Sequence, residues 1–440
     1  MQEITLDEIL TARETRVSQQ KELLKKYKVS LVCFTLNIAG PVKTSRLIER
    51  AFFEGIEILE SKLPQKYILY KKTDVAATGC TAFFCVSMDS VYLKEICTEI
   101  EDEIPLGRLF DMDVFNFDGK KLNRKNERGC IVCGASGRTC AAGRLHPIAN
   151  IQKVTEKIIT EHFLIKDSIK ISALAHESLL KEVYATPKPG LVDKRNNGSH
   201  TDMDINTFIT SANSLTPYFE KCVRIGHKTA SQTPSVTFDL LKKEGILAEK
   251  EMYAATSGIN THKGAIYCFG VICGAIGRLW GPDAPFASTD EILSTCADIL
   301  KDAIKSDFLF LDNTTAGGRA YLEHGITGIR GQAASGFKSV AKISLPVFKK
   351  ALNAGLTEND ALCAALIHLI ATVKDTNLYN RGGQKGMQYA CEYAKQLLQK
   401  NEFPKKQDIE HMDDAFICKN LSPGGCADLL AVTYFLANLK

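Results

Sequence analysis

Three features that would place a sequence in a common class are weak or missing here. The most apolar run, Gly264 to Leu279, is shorter than the roughly 18 residues that a membrane-spanning helix needs. The net charge of +4 over 440 residues is too small to favour non-specific binding to nucleic acid or to a membrane surface. No apolar leader follows the first residues, so we expect a cytoplasmic protein with no nucleic-acid or membrane partner.

Cysteine, in contrast, is abundant. The chain has 15 cysteines, and in a reducing compartment most of them should be free thiols or metal ligands rather than disulfides. The apolar fraction of 45% and the charged fraction of 24% are typical of a globular protein. A length of 440 residues exceeds what one hydrophobic core serves, so we expect at least two domains.

The pattern of apolar residues changes along the chain and indicates where the domains divide. In the first part, short strand-like runs alternate with helical spacing, and Ser45 is a plausible cap for a helix that ends near Leu63. Later, long helical segments follow one another, with no strand pattern of comparable strength. We predict an N-terminal α+β domain with a mixed sheet, residues 1–165, and a C-terminal all-α domain, residues 166–440. The predicted strands begin within Lys28–Gly40, Thr81–Asp89 and Arg108–Gly119.

Five polar, glycine-containing stretches lie between the predicted helices of the second domain. Glycine lets a backbone approach a ligand closely, N–H groups at a helix start bind anions, and Lys and Arg make charge-assisted contacts to phosphate. One such loop is more often only a turn, and Asp202, Asp204 or His262 alone would be a helix-end residue, but five stretches together favour a ligand site. The stretches are Thr186–Asp204, Ser257–Ala265, His324–Phe337, Lys374–Gly383 and Asn420–Ala431.

The motifs in these stretches resemble those of the triphosphoribosyl-dephospho-CoA synthases. That family is matched, in order, by TPKPGLVD, GSHTDMD, GINTHKGA, GITGIRGQAASGF, DTNLYNRGG and SPGGCADLLA. The resemblance implies that ATP and 3'-dephospho-CoA give 2'-(5''-triphosphoribosyl)-3'-dephospho-CoA and adenine. A ribose 2'-hydroxyl would attack the anomeric carbon of the ATP ribose with inversion, and the triphosphate would be retained.

That reaction needs a phosphate clamp, a base for the hydroxyl, a donor for the departing adenine, and carboxylates near an oxocarbenium-like transition state. For the base or acid we consider His200 and His262, which the sequence does not rank. The predicted clamp is Lys188, Lys263, Arg330 and Arg381. The predicted carboxylate ligands of Mg²⁺ or ribose are Asp202, Asp204 and Asp375, with Asp202 also a catalytic candidate. The other predicted nucleotide contacts are Asp193, Asn260, Asn377, Gly424, Gly425 and Asp428.

A pair of aspartates marks the first domain. Asp111 and Asp113 are two residues apart on a predicted strand, so both carboxylates should point to the same face. Carboxylates this close repel unless a cation lies between them, which suggests a Mg²⁺ site. The alternative is an exposed edge strand with a charged face.

A cysteine-rich segment follows the aspartate pair. Cys130, Cys133, Cys140 and His146 combine a C-x₂-C pair with a later Cys and His, a set that can hold Zn²⁺ tetrahedrally. Their spacing is short and irregular for a zinc finger. The alternative is a group of buried, reduced thiols behind a basic helix that carries Arg138 and Arg144.

This half of the chain is similar to the citrate lyase holo-acyl-carrier-protein synthases, which are phosphoribosyl-dephospho-CoA transferases. The match is carried by TLNIAGPVKTS, PLGRLFDMDV and the Cys/His element. The resemblance implies that a serine of the citrate lyase acyl-carrier (gamma) subunit attacks the phosphate next to the added ribose and releases pyrophosphate. Divalent ions on Asp111 and Asp113 would assist, and the candidate phosphate contacts are Asn37, Lys43, Arg108 and Arg138.

The two resemblances support one pathway, in which one half makes the activated group from ATP and dephospho-CoA and the other half transfers it. Two alternatives stay open from the sequence. The first domain could be a zinc-binding module that only recruits the carrier subunit. The helical domain could be a different nucleoside-triphosphate hydrolase, which would release phosphate instead of adenine.

Overall fold

The computed structural model describes residues 3–284, 286–303 and 316–439 of the chain. Its contacts divide the chain into two compact units, Met1–Ile165 and Lys166–Lys440. The first unit combines helices with one sheet, and the second is helical throughout the residues described. The expected combination of an α+β unit and an all-α unit is therefore present.

The sheet of the first unit has the strand order β2-β3-β1-β4-β5, and every described pair of neighbours is antiparallel. The expectation of a mixed sheet was wrong. The helix after β1 leads to β2, and β3 lies between β2 and β1 in the sheet. The helix after β3 leads to β4, which lies on the other side of β1. This split β-α-β arrangement uses helical connections without making parallel neighbours. The strands are β1 (Ser30–Leu36), β2 (Ile68–Ala76), β3 (Gly79–Val86), β4 (Phe110–Phe115) and β5 (Lys121–Leu122).

Helices cover the sheet of the first unit. Ser45 accepts a hydrogen bond from the Ile48 N–H and so caps the second helix, as its position in the sequence predicts. Leu24 of the first helix packs with Leu31 and Cys33 of β1, which places that helix on one face of the sheet. The helices are α1 (Leu6–Tyr27), α2 (Arg46–Lys62), α3 (Ser90–Glu103) and α4 (Gly137–Ala142), with 3₁₀ turns at Gln65–Tyr67 and Pro105–Leu109.

The sequence predicts two separate helices over Ile151–Phe163 and Lys170–Ala185, but the structure has one 37-residue helix there, α5 (Ile148–Tyr184). The apolar spacing of the sequence predicts a helix over Asp290–Ile304; the structure has α9 (Thr289–Leu300) there, and Ile304 lies outside the described residues. The other helices at the start of the second unit are α6 (Ile205–Lys228), α7 (Pro234–Ala255) and α8 (Lys263–Leu279). The later helices are Ala316–His324, Gly328–Ala334, Leu345–Asn353, Glu358–Thr372, Thr376–Lys400, Lys406–Cys418 and Gly424–Asn438, with a π-helical turn at Val340–Ser344.

Helix α8 is the apolar run of the sequence, and it is buried in the core of the second unit. Its small residues allow α6 to come close. A Cβ added at Gly277 would lie 1.9 Å from the backbone oxygen of Val223, and one at Gly226 would lie 2.0 Å from that of Gly274. These contacts leave no room for any side chain larger than hydrogen, so the run is built for helix packing.

Across the described ranges, no single helix has the length and apolar character to cross a membrane. One pair of helices, Glu358–Thr372 and Thr376–Lys400, is long and apolar enough when taken together, by length and composition only, and is bent by 54° at its break.

Candidate functional site

The second unit contains a cavity of about 420 Å³, which we call the helical-unit cavity. All five polar stretches contribute to its wall, although they are far apart in sequence. The predicted residues that line it are Lys188, His200, Asp202, Asn260, His262, Lys263, Arg330, Asn377, Arg381, Gly424, Gly425 and Asp428.

Two long helices begin at this cavity, α8 at Lys263 and the helix Gly424–Asn438 at Gly424. Neither receives a hydrogen bond from the side chain of its N-cap residue, His262 or Pro423. Asp428 and Asp375 accept the third N–H group of each helix, from Ala265 and Cys426, whereas the two N–H groups before it and the positive end of each helix dipole favour an anion. The wall of the helical-unit cavity is therefore suited to phosphate groups.

Two glycines at these helix starts leave space for other side chains. A Cβ at Gly264 would lie 1.9 Å from Oδ2 of Asp428, and a Cβ at Gly424 would lie 2.3 Å from Nδ2 of Asn377. Only glycine permits the carboxylate and the amide to pack this tightly against the backbone. Both polar groups are thereby held at the wall of the cavity.

His262 is buried, and burial together with the nearby charge of Lys188 lowers its pKa to about 3. The ring is therefore neutral at pH 7. Its Nδ1 lies 2.7 Å from Oγ of Ser211, which itself accepts a hydrogen bond from the Thr261 hydroxyl. Ser211 keeps its own hydrogen, which it can donate to Nδ1, and in that arrangement the ring proton is on Nε2. This buried Nε2 has no hydrogen-bond partner among the described residues.

His200 has a different environment. Arg381 donates to its Nδ1 at 3.1 Å, and since a guanidinium is only a donor, Nδ1 must accept. The ring proton is then on Nε2, 3.0 Å from Oγ of Ser422. Burial, followed by the charge of Arg381, lowers the pKa of His200. Its one lone pair is occupied, so this histidine is poorly placed to act as a base.

Lys188 lies at the cavity wall, but its charge is already paired. Its Nζ donates to the carboxylate of Glu182 and, at 2.7 Å, to the Glu182 carbonyl oxygen. Both side chains are almost completely buried, and burial raises the pKa of Glu182. Burial also raises the pKa of Asp428, with the charges of Glu182 and Asp375 adding to the effect. The carboxyl groups of Glu182, Asp375 and Asp428 and the ammonium group of Lys188 thus interact electrostatically behind the starts of the two helices.

Three predicted ligands do not line the cavity. Asp193 accepts the backbone N–H groups of Lys188, Arg195 and Asn196 and so shapes the loop. Asp204 is the N-cap of α6, and Asp375 is the N-cap of Thr376–Lys400, where it also accepts the Cys426 N–H at 2.8 Å. Backbone N–H groups thus engage at least one carboxylate oxygen of each residue, and the ligand roles of the three residues stay predictions.

Two acidic residues of the cavity wall were not among the predicted site residues, Glu182 near the end of α5 and Glu249 on α7. Glu249 forms an ion pair with Lys263 at 3.0 Å. Glu182 follows Leu179 by three residues on a buried helix face, and a charge on such a face could have drawn attention to it. Glu249 carries no comparable pattern.

Another cavity, of about 670 Å³, lies in the first unit, and we call it the basic cavity. Arg108, Arg138 and Asn37 line it as predicted candidates, together with Arg128 and Arg144. Arg108 donates to the backbone oxygen of Gly129, so a hydrogen bond joins the segment after β5 to the residues just before β4. The cavity is suited to an anionic group.

Asp111 and Asp113 lie on the face of β4 opposite to its buried side chains, as period-two alternation predicts. Neither lines the basic cavity. Lys121 forms an ion pair with Asp113 at 2.6 Å, whereas partial desolvation and the neighbouring charge of Asp113 raise the pKa of Asp111. Lys43 also lies outside the basic cavity and donates to the Ile38 oxygen at 2.5 Å, and desolvation lowers its pKa.

The cysteine-rich segment folds into a compact group. The ligand atoms of Cys130, Cys133, Cys140 and His146 all lie within 4.8 Å of one another. The backbone N–H groups of Cys133 and Val132 lower the pKa of the Cys130 thiol. All 15 cysteines of the chain are free thiols.

Each of the two units thus contains a cavity that is suited to anionic groups. Comparison with known proteins makes this specific. Residues 168–440 match the CitG family, described as ATP:dephospho-CoA triphosphoribosyl transferase, and residues 4–162 match the CitX family, described as apo-citrate lyase phosphoribosyl-dephospho-CoA transferase. The chain belongs to the CitXG family, which joins the two.

Full-length relatives support this assignment. The protein CitXG of Haemophilus influenzae is 36% identical over 99% of this chain and 97% of its own length. The protein CitXG of Leuconostoc mesenteroides is 32% identical over 99% of this chain and 97% of its own. A 2-(5''-triphosphoribosyl)-3'-dephosphocoenzyme-A synthase of Pectobacterium atrosepticum is 38% identical over 64% of this chain and 93% of its own.

Proposed function

We propose that this chain is a bifunctional transferase that makes and attaches the prosthetic group of citrate lyase. The helical unit joins ATP and 3'-dephospho-CoA and releases adenine. The first unit transfers phosphoribosyl-dephospho-CoA from that product to a serine of the acyl-carrier gamma subunit and releases pyrophosphate. The observation that carries the proposal is the convergence of five distant polar stretches on one cavity with two helix starts.

In the first reaction, the 2'-oxygen of dephospho-CoA forms a bond to the anomeric carbon of the ATP ribose while the bond to adenine breaks. The triphosphate stays on the ribose. Lys263, Arg330 and Arg381 line the cavity with the two helix starts, and together they would bind it. Lys188 acts as a positioning residue instead, since its ammonium is bound to Glu182.

The hydrogen-bond geometry separates the roles of the two histidines. His262 presents a neutral Nε2–H group that needs an acceptor, and a ring nitrogen of adenine is such an acceptor. We assign His262 as the donor that assists adenine departure. His200 is engaged by Arg381 and Ser422, and it orients that arginine toward the phosphates.

The base for the attacking hydroxyl is assigned to Asp428. Its carboxylate lies at the cavity wall and its pKa is raised well above the ordinary value by burial. Once ionised, a carboxylate with a raised pKa accepts the hydroxyl proton more strongly than an ordinary carboxylate does. The position of Asp428 is fixed by contact with Gly264 and by the Ala265 N–H.

Two places fit a divalent ion. Asp202 lines the cavity with a side chain that is 60% exposed, so it could hold Mg²⁺ on the triphosphate. In the first unit, Asp111 and Asp113 would hold Mg²⁺, because a cation between them offsets the desolvation and the repulsion from Asp113 that raise the pKa of Asp111. When bound there, Mg²⁺ supplies charge stabilisation for the departing pyrophosphate.

The second reaction forms a phosphodiester. The serine oxygen of the carrier attacks the phosphorus next to the added ribose, the bond to pyrophosphate breaks, and the serine loses its proton. Arg108 and Arg138 at the basic cavity would contact the phosphates. We place both reactions in the cytoplasm, which the 15 free thiols support.

The first experiment is chromatography of the full chain with ATP, Mg²⁺ and 3'-dephospho-CoA. Equimolar adenine and triphosphoribosyl-dephospho-CoA are expected, and Asp428→Asn should abolish both. Cleavage of ATP to ADP and phosphate, or a fully active Asp428→Asn variant, would contradict the assignment.

The second experiment adds the apo-carrier subunit and measures its mass. Asp111→Asn should stop attachment and leave adenine release unchanged. The matched control is Asp118→Asn, on the turn after β4, which should affect neither step. Loss of both activities in Asp111→Asn would indicate a folding defect and remove the support for a role of Asp111 in transfer.

A further inference from the structure

The Cys/His group of the first unit has a geometry that neither transfer reaction explains. The Sγ atoms of Cys133 and Cys140 are 3.5 Å apart, and Nε2 of His146 is 3.3 Å from Sγ of Cys133. All four candidate ligand atoms, including Sγ of Cys130, lie within 4.8 Å of one another. Four donors this close surround a space of atomic size.

The distances fit tetrahedral zinc. With Zn–S of about 2.3 Å and Zn–N of about 2.0–2.1 Å, the edges of the tetrahedron are about 3.5–3.8 Å. The Cys133–Cys140 and His146–Cys133 distances are within a few tenths of an ångström of that range. Three sulfurs and one imidazole suit Zn²⁺ and not Mg²⁺ or Ca²⁺, which take oxygen ligands.

The backbone of the segment is also shaped for metal binding. The N–H of Val132 donates to Sγ of Cys130 at 3.4 Å, so the first sulfur already accepts a backbone hydrogen bond. Gly134 has a φ of +76°, and its N–H donates to the Cys130 carbonyl oxygen at 2.9 Å. This tight turn directs both thiols of the C-x₂-C pair to the same side. Backbone donors to a ligand sulfur are the usual second layer of a thiolate metal site.

We propose that Cys130, Cys133, Cys140 and His146 bind one structural Zn²⁺. Four protein ligands fill the tetrahedral shell, so no position remains open for substrate. The metal joins the turn at Cys130–Gly134 to α4 and to the residues that follow α4. It acts as a cross-link in a small segment that has almost no hydrophobic core of its own, since Cys140 is its one buried apolar residue among those described.

The cross-link would also order the basic cavity. Arg138 and Arg144 flank Cys140 on and after α4, and both line the cavity together with Cys130, Cys140 and His146. Fixing α4 would fix the direction from which these arginines approach a phosphate. This consequence for carrier attachment rests on the proposed function, whereas zinc binding itself does not.

The test is the zinc content of the full chain, purified without chelators and with reduced thiols, measured by plasma mass spectrometry. About one zinc per chain is expected, falling below about a tenth in Cys133→Ser. The matched control is Cys418→Ser, because Cys418 is an exposed cysteine at the end of a helix in the other unit. It should keep its zinc.

Two further measurements keep the test decisive if Cys133→Ser folds poorly. His146→Cys retains four ligands and should still bind about one zinc. Replacement of zinc by Co²⁺ should give the intense visible bands of tetrahedral cobalt thiolate, which His146→Ala should weaken. Adenine release checks that the helical unit is folded in each variant.

Wild-type protein that holds no zinc, as purified or after zinc is added to the reduced protein, would overturn the proposal. A Cys133–Cys140 disulfide in protein isolated with thiols alkylated at lysis would also overturn it. If zinc is present but no adenine or holo-carrier forms under any condition, the metal site stands and the proposed function fails.

Discussion

The buried ion pair between Lys188 and Glu182 allows a quantitative prediction for Lys188→Met. The two side chains are 1% and 7% exposed. Removing one partner of a buried pair leaves an uncompensated charge, which costs about 3–5 kcal/mol. For a domain of this size, about 2–4 °C is lost per kcal/mol, so the melting temperature of the helical unit should fall by about 6–20 °C.

The loss should depend on pH in a defined direction. Burial already raises the folded-state pKa of Glu182, and without Lys188 it rises further. A carboxyl group with a raised folded pKa binds its proton more tightly in the folded state, so the variant is least destabilised below about pH 4, near the unfolded value. The deficit relative to wild type should grow as pH rises from the unfolded to the folded pKa of Glu182 and level off above the folded pKa.

The assay is thermal unfolding followed by circular dichroism between about pH 5 and pH 8. Lys181→Met is the matched control, since Lys181 forms a surface pair with Glu358, and such pairs contribute under about 1 kcal/mol. The double variant Glu182→Gln with Lys188→Met removes both charges and should recover most of the lost stability. If Lys188→Met is no less stable than Lys181→Met at about pH 8, the pair does not hold the cavity wall together.

Three further predictions concern adenine release. Gly264→Ala brings a methyl group to 1.9 Å from the carboxylate of Asp428 and should reduce kcat at least about 100-fold. The control Gly281→Ala should be active, because its added Cβ would meet its nearest atom at 4.0 Å. Equal activity of the two variants would contradict the packing argument. His262→Phe should lower kcat about 100-fold or more with little change in KM. His262→Gln restores a hydrogen-bond donor and should recover part of the lost kcat. A change in KM alone would contradict a role of His262 in the chemical step. Lys263→Ala should raise the KM for ATP about 10- to 100-fold, because it removes a charged contact of about 1.5–3 kcal/mol. An unchanged KM would exclude Lys263 from the residues that bind the triphosphate.

Much of the fold could be predicted because its patterns are local. The alternation in β4 and the cap at Ser45 are written in a few adjacent residues. Strand β2 was not predicted, since it is an edge strand whose residues are mostly half-exposed or exposed and include Lys71 and Lys72. Charges on an edge protect against unwanted pairing, and they also hide the strand from pattern analysis.

Strand direction lies outside local pattern. The sequence shows that a helix follows β1, but whether the next strand pairs with β1 or skips a position depends on the packing of the whole sheet. The expectation of a mixed sheet was wrong for that reason.

For the site, glycine-containing loops identified the stretches that meet at the cavity. They did not reveal which polar atoms face it. Asp375 and Asp204 look like ligands in sequence, yet both are helix caps, whereas Glu249 sits in a helix that had no clear pattern. The spatial roles of carboxylates depend on hydrogen bonds that sequence does not display.

The wide spacing of the cavity-lining residues has a consequence for synthesis of the protein. The cavity wall includes residues from Leu179 to Ala431. At about 5–20 residues per second, a ribosome takes roughly 10–50 s to make that part of the chain. The earlier helices emerge before their partners at the wall exist, and Gly424, Gly425 and Asp428 arrive last. A nascent chain therefore has no complete helical-unit cavity until translation of that unit is nearly finished, and a ribosome stalled before Gly424 yields no adenine-releasing activity, although the first unit is already complete.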